Sequence, residues 1–184
     1  EDGEPVAGPV PEPTVSVNPR DHVIPSWFTD AKFGIFIHWG VYSVPAWAPV
    51  GQYAEWYWFY QQLPLFQQYH YHLQTYGASV VYDDFIPQFR AEQWDPADWI
   101  QLIKDSGAKY WVLTTKHHDG FAQWPTLTSD RNSLQLGPHR DLVGDLIEAN
   151  RGSGLKVGLY YSLPEWFTPA PRPAGIYQGW ARLF

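Results

Sequence analysis

Nearly continuous apolar runs begin near residues 32, 110 and 155: Lys32 to Trp39, with Ile35, Phe36 and Ile37 in a row, then Tyr110 to Thr115, then "LKVGLYYS". Short unbroken apolar runs predict strands buried on both faces, as in a parallel sheet. Helical patterning lies between them. In "WDPADWIQLIKDSG" Asp95 suits an N-cap and Pro96 the first helical position, Trp99, Leu102 and Ile103 form an apolar stripe, and Gly107 closes the helix. "HRDLVGDLIEANRGSG" predicts a second helix with Leu142, Leu146 and Ile147 inward. Strand, helix and strand in this order predict a parallel α/β fold with right-handed crossovers.

Other segments lack this periodicity. Residues 1–25 hold six prolines and an acidic start, and are expected to form a disordered or surface-hugging extension. Residues 41–77 are dense in aromatics and glutamine and are broken by Pro45, Pro49 and Pro64. They predict a long functional loop with one or two short helices. Asp83 and Asp84 read as a solvated pair in a loop, and His22, His70, His72 and His139 as surface or structural histidines.

Reactive groups of parallel α/β folds gather at the carboxyl ends of the strands. Here the runs end in His38-Trp39, in His117-His118-Asp119 and in Tyr160-Tyr161-Ser162. This agreement points to one shared pocket. Composition narrows its ligand. A net charge of -7 over 184 residues excludes the basic stripe of a nucleic-acid binder. No window is apolar enough for a transmembrane helix. There is no cysteine, so no disulfide, and no Asn-x-Ser/Thr sequon. The chain begins without Met or an apolar leader, as expected of a processed form or of a chain whose beginning was removed for another reason. Aromatic residues reach 18%, with eleven Trp. Flat aromatic faces suit the C–H faces of sugar rings, although an aromatic-rich core or interface gives the same composition.

The adjacent histidines admit a metal site, an acid/base pair, a sugar subsite or plain structural roles. Neighbours on a strand point to opposite faces, so His117 and His118 chelate one ion only if the strand breaks between them. No H-E-x-x-H helix and no thiol completes a metal set, and no metal or cofactor is expected. G-x-G-x-x-G, G-x-x-x-x-G-K-[ST] and G-x-S-x-G motifs are missing too. Neutral-ligand recognition is left, with His38, His117 and His118 offering hydrogen bonds and Trp56 a stacking face. Of the carboxylates near the expected mouth, Asp119 reads as a turn residue before Gly120, Glu165 as either a mouth or a solvated residue, and Glu55 carries no local mark of a nucleophile.

Five blocks then resemble one family in order: "WFTDAKFGIFIHWGVYSVPAW", "EWYWFY", "AKYWVLTTKHHDGFAQW", "LGPHRDLVGDL" and "VGLYYSLPEWF". They are similar to the amino-terminal part of the α-L-fucosidases of glycoside hydrolase family 29, of the animal lysosomal or secreted type. The resemblance spans residues 25 to about 168. It implies a (β/α)₈-like barrel of which residues 26–168 supply about the first three βα units. It also implies a retaining, exo-acting mechanism on terminal α-L-fucose of fucosylated glycans, and lysosomal or secreted placement. By motif, the fucose-binding groups fall on His38, Glu55, Trp56, His117, His118 and Tyr160. Glu55 also matches a glutamate discussed as an acid/base candidate.

The family's nucleophile Asp and its usual acid/base Glu are expected beyond Phe184, and residues 169–184 depart from the family pattern with three prolines. A replaced or truncated end is the expectation there. An open three-stranded sheet would then expose its edges and apolar faces, which predicts instability or association with another chain, including a homo-oligomer. The alternative to an active enzyme is an inactive product that binds fucose weakly or associates with a partner. A flavodoxin-like protein, a third reading, needs about five strands and a phosphate loop.

Overall fold

The computed structural model describes residues 23–167. The expectations for residues 1–22 and for the tail at 169–184 fall outside them. The chain forms two compact units, residues 1–32 and 33–184. In the first, the described part is one short helix, α1 (Ser26–Ala31), begun by Pro25 and tied by a Thr29 hydroxyl donating to the Ser26 carbonyl at 2.8 Å.

The second unit is built on a three-stranded parallel sheet in the order β1 (Gly34–Ile37), β2 (Tyr110–Lys116), β3 (Lys156–Tyr161). Its register places Phe36, Val112 and Gly158 side by side, and Ile37 next to Leu113 and Leu159. Between β1 and β2 come single 3₁₀ turns at Val41–Ser43 and Ala54–Trp56, the helices α2 (Tyr57–Tyr60) and α3 (Gln67–Thr75), a 3₁₀ helix at Tyr82–Gln88, and α4 (Pro96–Asp105). The 41–77 region thus carries two short helices, as expected, with two single 3₁₀ turns besides. Helix α5 (Leu142–Ala149) links β2 to β3.

The cap chemistry of α4 matches the sequence reading. Asp95 accepts the N–H groups of Ala97 and Asp98 at the start of α4, and Asp141 accepts that of Gly144 in α5. Gly107 follows α4 at φ +85°, a left-handed position that glycine adopts without steric cost. Ile100 and Ile103 of α4 and Leu142, Val143 and Leu146 of α5 pack against Trp111 and Leu113 of β2 in one buried core. Leu102 departs from its expected stripe. It is 71% exposed, because the buried face of α4 runs through Trp99, Ile100 and Ile103 instead. The core also takes in Val41, Tyr57, Tyr82 and Phe85 from the long connection.

Only the central strand is buried as expected. β1 and β3 are the edges of the sheet among the described residues, and Phe36, Val157, Leu159 and Tyr161 are exposed. The expectation that all three strands are buried on both faces is thus corrected. Continuous apolarity marks surfaces that seek cover, and these edge strands lack neighbours on one side. At Gly34 the ring of Tyr110 lies where a Cβ would go, with atoms 2.2–2.4 Å away, so glycine lets β2 close against β1.

Candidate functional site

The carboxyl ends of β1, β2 and β3 do converge. Buried Gln123 helps to join them, its amide donating to the carbonyls of Trp39 and of Thr114 (2.6 Å). Thr114 Oγ1 adds hydrogen bonds to the Trp39 backbone and to the Tyr42 hydroxyl. His38 follows β1 with its ring stacked on Phe36 at 4.8 Å, which aims it over the site face of the sheet. There it meets His117 (ring centroids 5.8 Å apart) and Tyr160 of β3 (6.3 Å). His117 and Tyr160 are stacked at 5.9 Å.

Strand β2 stops at Lys116, so His117 and His118 stand in the turn beyond it, where strict alternation no longer holds. Their rings lie 4.4 Å apart at 64°. His118 is held by the segment after β3: its Nδ1 lies 3.1 Å from the Pro164 carbonyl and also contacts the Ser162 hydroxyl, and the Trp166 N–H donates to the His118 carbonyl at 2.6 Å. A carbonyl only accepts, so that contact requires a proton on Nδ1 and leaves Nε2 as the acceptor of the neutral ring. Trp56 and Trp166 both pack on His118, at 5.2 and 5.1 Å, and on each other at 5.3 Å. Glu55, one residue before Trp56, brings Oε1 to 4.0 Å from His38 Nε2. All six residues singled out in the sequence therefore share one locality.

Burial sets the electrostatics. It pushes the His117 imidazole down to about 3, with His118, His38 and Lys116 adding in the same direction. His118 is lowered by burial as well, against the Pro164 carbonyl. Both rings are thus neutral at neutral pH, able to donate through one nitrogen and accept through the other. His117 Nδ1 is buried without a hydrogen-bond partner. An orphaned buried nitrogen costs free energy unless a ligand meets it.

Asp119 is a turn residue, as expected, accepting the Phe121 N–H at 3.1 Å, but it is also fully buried and accepts the Tyr82 hydroxyl at 2.8 Å. Burial raises its carboxyl above the usual range, opposed by those two bonds. Arg131 donates Nε to the Asp119 carbonyl and spans both oxygens of Asp83 at 2.8 Å. Asp83 and Asp84 are exposed, as a solvated pair would be, but they lie in the 3₁₀ helix at Tyr82–Gln88 and not in a loop. Asp83 is half of a bidentate ion pair, and Asp84 accepts the Val81 N–H at the start of a 3₁₀ helix. Glu165 is neither free nor in plain solvent, pairing with the Lys116 ammonium at 2.8 Å. His72, expected at the surface or in a structural role, is structural and buried between the Tyr57 hydroxyl and the Val80 carbonyl. Sequence reasoning passed over Trp166 and Tyr42, and read Ser162 at the end of β3 without its contact to His118. The aromatic next to Glu165 was visible, but its partners lie across the fold.

A parallel α/β sheet whose strand ends gather imidazoles, a tyrosine and an aromatic wall offers hydrogen-bond donors, acceptors and an apolar face at the strand termini. The sequence profile of the family described as "Alpha-L-fucosidase" matches residues 11–174. The chain is 49% identical over 150 residues to the tissue alpha-L-fucosidase of Mus musculus, and 49% identical over 148 residues to that of Homo sapiens. Each match covers 79% of this chain. Among solved structures, the alpha-fucosidase of Thermotoga maritima in complex with a mechanism-based inhibitor superposes with a TM-score of 0.76 at 50% identity, over 80% of this chain and 37% of that one. An alpha-L-fucosidase of Lactobacillus casei with alpha-L-fucose product gives 0.63 at 37% identity, over 78% and 42%. The chain belongs to the alpha-L-fucosidase family, whose members are glycoside hydrolases. It spans about a third of the length of the curated relatives it matches, 32% and 31% for the two above.

Proposed function

We propose that the strand-end cluster is the fucose-binding subsite of a retaining exo-α-L-fucosidase that removes terminal α-L-fucose from glycoconjugates. The observation that carries this reading is the convergence of His38, Glu55, Trp56, His117, His118 and Tyr160 around the unpartnered Nδ1 of buried His117. Neutral imidazoles and a tyrosine match the alternating donors and acceptors of sugar hydroxyls. The Trp56–Trp166 wall matches the apolar face of a 6-deoxy sugar. The family relatives support the same sugar: the Thermotoga enzyme is known in complex with fucose and the Lactobacillus enzyme in complex with Fucα(1,6)GlcNAc.

The three-stranded sheet is, in this reading, the opening of a (β/α)₈ barrel, with residues 26–168 supplying its first three βα units. The likeness to the Thermotoga fold supports this. The nucleophile lies outside the cluster. Retaining hydrolysis needs two carboxyl groups about 5–5.5 Å apart across the bond. Asp119 is committed to Tyr82 and Phe121, and Glu165 to Lys116, which leaves Glu55 as a hydroxyl acceptor beside His38. Relatives named tissue alpha-L-fucosidases support lysosomal or secreted placement.

Calorimetric titration with L-fucose tests the subsite. Saturable binding that weakens about tenfold or more in His38→Ala and in Trp56→Ala is expected, a loss of about 1.4 kcal/mol. Binding of equal strength in both variants would sink the assignment. A second reading, a non-catalytic chain that associates with a partner, is favoured by the exposed Phe36, Val157, Leu159 and Tyr161 of the edge strands. A monomer in size-exclusion chromatography across micromolar concentrations would count against it.

A further inference from the structure

We infer that His38, Glu55 and His117 also form a site for one borderline divalent ion of the zinc class. One ring nitrogen from each histidine and one Glu55 oxygen all lie within 4.8 Å of one another. These donors come from three separate segments: the end of β1, the Ala54–Trp56 turn and the turn after β2. Two imidazoles and one glutamate are a ligand set that zinc accepts with a fourth position left open. Tetrahedral donors at zinc bond lengths stand about 3.3 Å apart, so the set must contract by roughly an ångström.

Rotation of His38 can supply that contraction, since its side chain is the exposed member and Glu55 is already 4.0 Å away. Glu55 meets no lysine or arginine within 4.0 Å among the described residues, so its charge is available to a cation. His117 is buried and fixed between Tyr42, Tyr160 and His118, an anchored ligand on which the others close. Two nitrogens and a single carboxylate suit zinc, copper or nickel and disfavour magnesium, which demands an all-oxygen octahedron.

The ion site stands on these donors alone. Its consequence, that the ion and the sugar exclude each other, rests on the proposed function, because both use His38 and His117.

Calorimetric titration of the purified protein with zinc chloride decides the site. One ion per chain is expected, with affinity reduced about tenfold or more in His38→Ala and in Glu55→Gln, and no saturable heat with magnesium chloride. Unchanged far-UV circular dichroism shows that the variants remain folded. No saturable zinc binding, or binding unaltered by both substitutions, overturns the inference. With saturating L-fucose, apparent zinc affinity is expected to fall. Unchanged zinc affinity in the presence of bound fucose would overturn the shared location. Fucose that fails to bind in its own titration counts against the sugar reading instead, while the two variants still decide the zinc site.

Discussion

The Tyr82 hydroxyl donates to Asp119 Oδ2 at 2.8 Å in a place closed to solvent, linking the 3₁₀ helix at Tyr82–Gln88 to the turn that carries His117 and His118. Because the other Asp119 oxygen accepts the Phe121 N–H, the carboxyl fixes the turn from behind while the histidines face the site. Removing one partner leaves a buried acceptor unsatisfied, at a cost of about 1–3 kcal/mol. Tyr82→Phe should therefore lower stability by that amount in urea denaturation and weaken fucose binding without touching the sugar. A variant as stable as the parent would show that Asp119 finds other partners.

Arg131 reinforces the same turn through a planar fork on Asp83 and a bond from Nε to the Asp119 carbonyl. Lysine keeps the charge and cannot reproduce this geometry. Arg131→Lys is expected to cost about 1–2 kcal/mol in the same denaturation experiment. A loss below about 0.5 kcal/mol, the range of an ordinary surface substitution, would mean that charge alone suffices.

The buried histidines set a direction for pH. His117 is pushed down to about 3 in the fold, against about 6.5 in an unfolded chain. Below 6.5 the unfolded chain takes up a proton that the folded one refuses, so stability is fully present above that value and lost as pH falls toward 3. His118 acts in the same sense. The slope per histidine reaches about 1.4 kcal/mol per pH unit. Urea midpoints measured from pH 7.5 to 4.5 should fall steeply, and His117→Gln should flatten the fall. An identical slope in the variant would remove His117 as the source of the acid sensitivity.

Gly34 gives a test of the fold itself. Alanine there would place its Cβ inside the Tyr110 ring, 2.2 Å from the nearest ring atom. Overpacking of this kind costs about 1–3 kcal/mol. Gly34→Ala should be destabilised, and Gly34→Ala with Tyr110→Ala should recover part of the loss. No recovery would mean that the close approach of the two strands does not depend on this contact.

How much of this was legible in the sequence depended on whether the signal was local. Asp95 before Pro96 and Gly107 after α4 announce their helix ends within a few residues, and both behave as read. The strand-end rule placed His38, His117 and Tyr160 together because it needs only strand order. Asp83 is exposed as read, but its ion pair was hidden because Arg131 lies 48 residues away, and nothing near Asp83 signals it. Leu102 shows a different limit. A stripe through Trp99, Leu102 and Ile103 and one through Trp99, Ile100 and Ile103 are equally helical, and only the position of β2 chooses between them. The exposure of β1 and β3 was hidden for the same reason, since apolarity records the wish for cover and not its presence.

The central claim is that the nitrogen orphaned on His117 is there for a sugar hydroxyl. The most direct measurement is the imidazole ¹⁵N spectrum of the labelled protein during titration with L-fucose. The account predicts that the signals of His117, His118 and His38 shift together along one saturation curve, with His117 Nδ1 moving into the hydrogen-bonded range, while His70 and His139 stay still. Saturable fucose binding that leaves the His117 signals unmoved would contradict it.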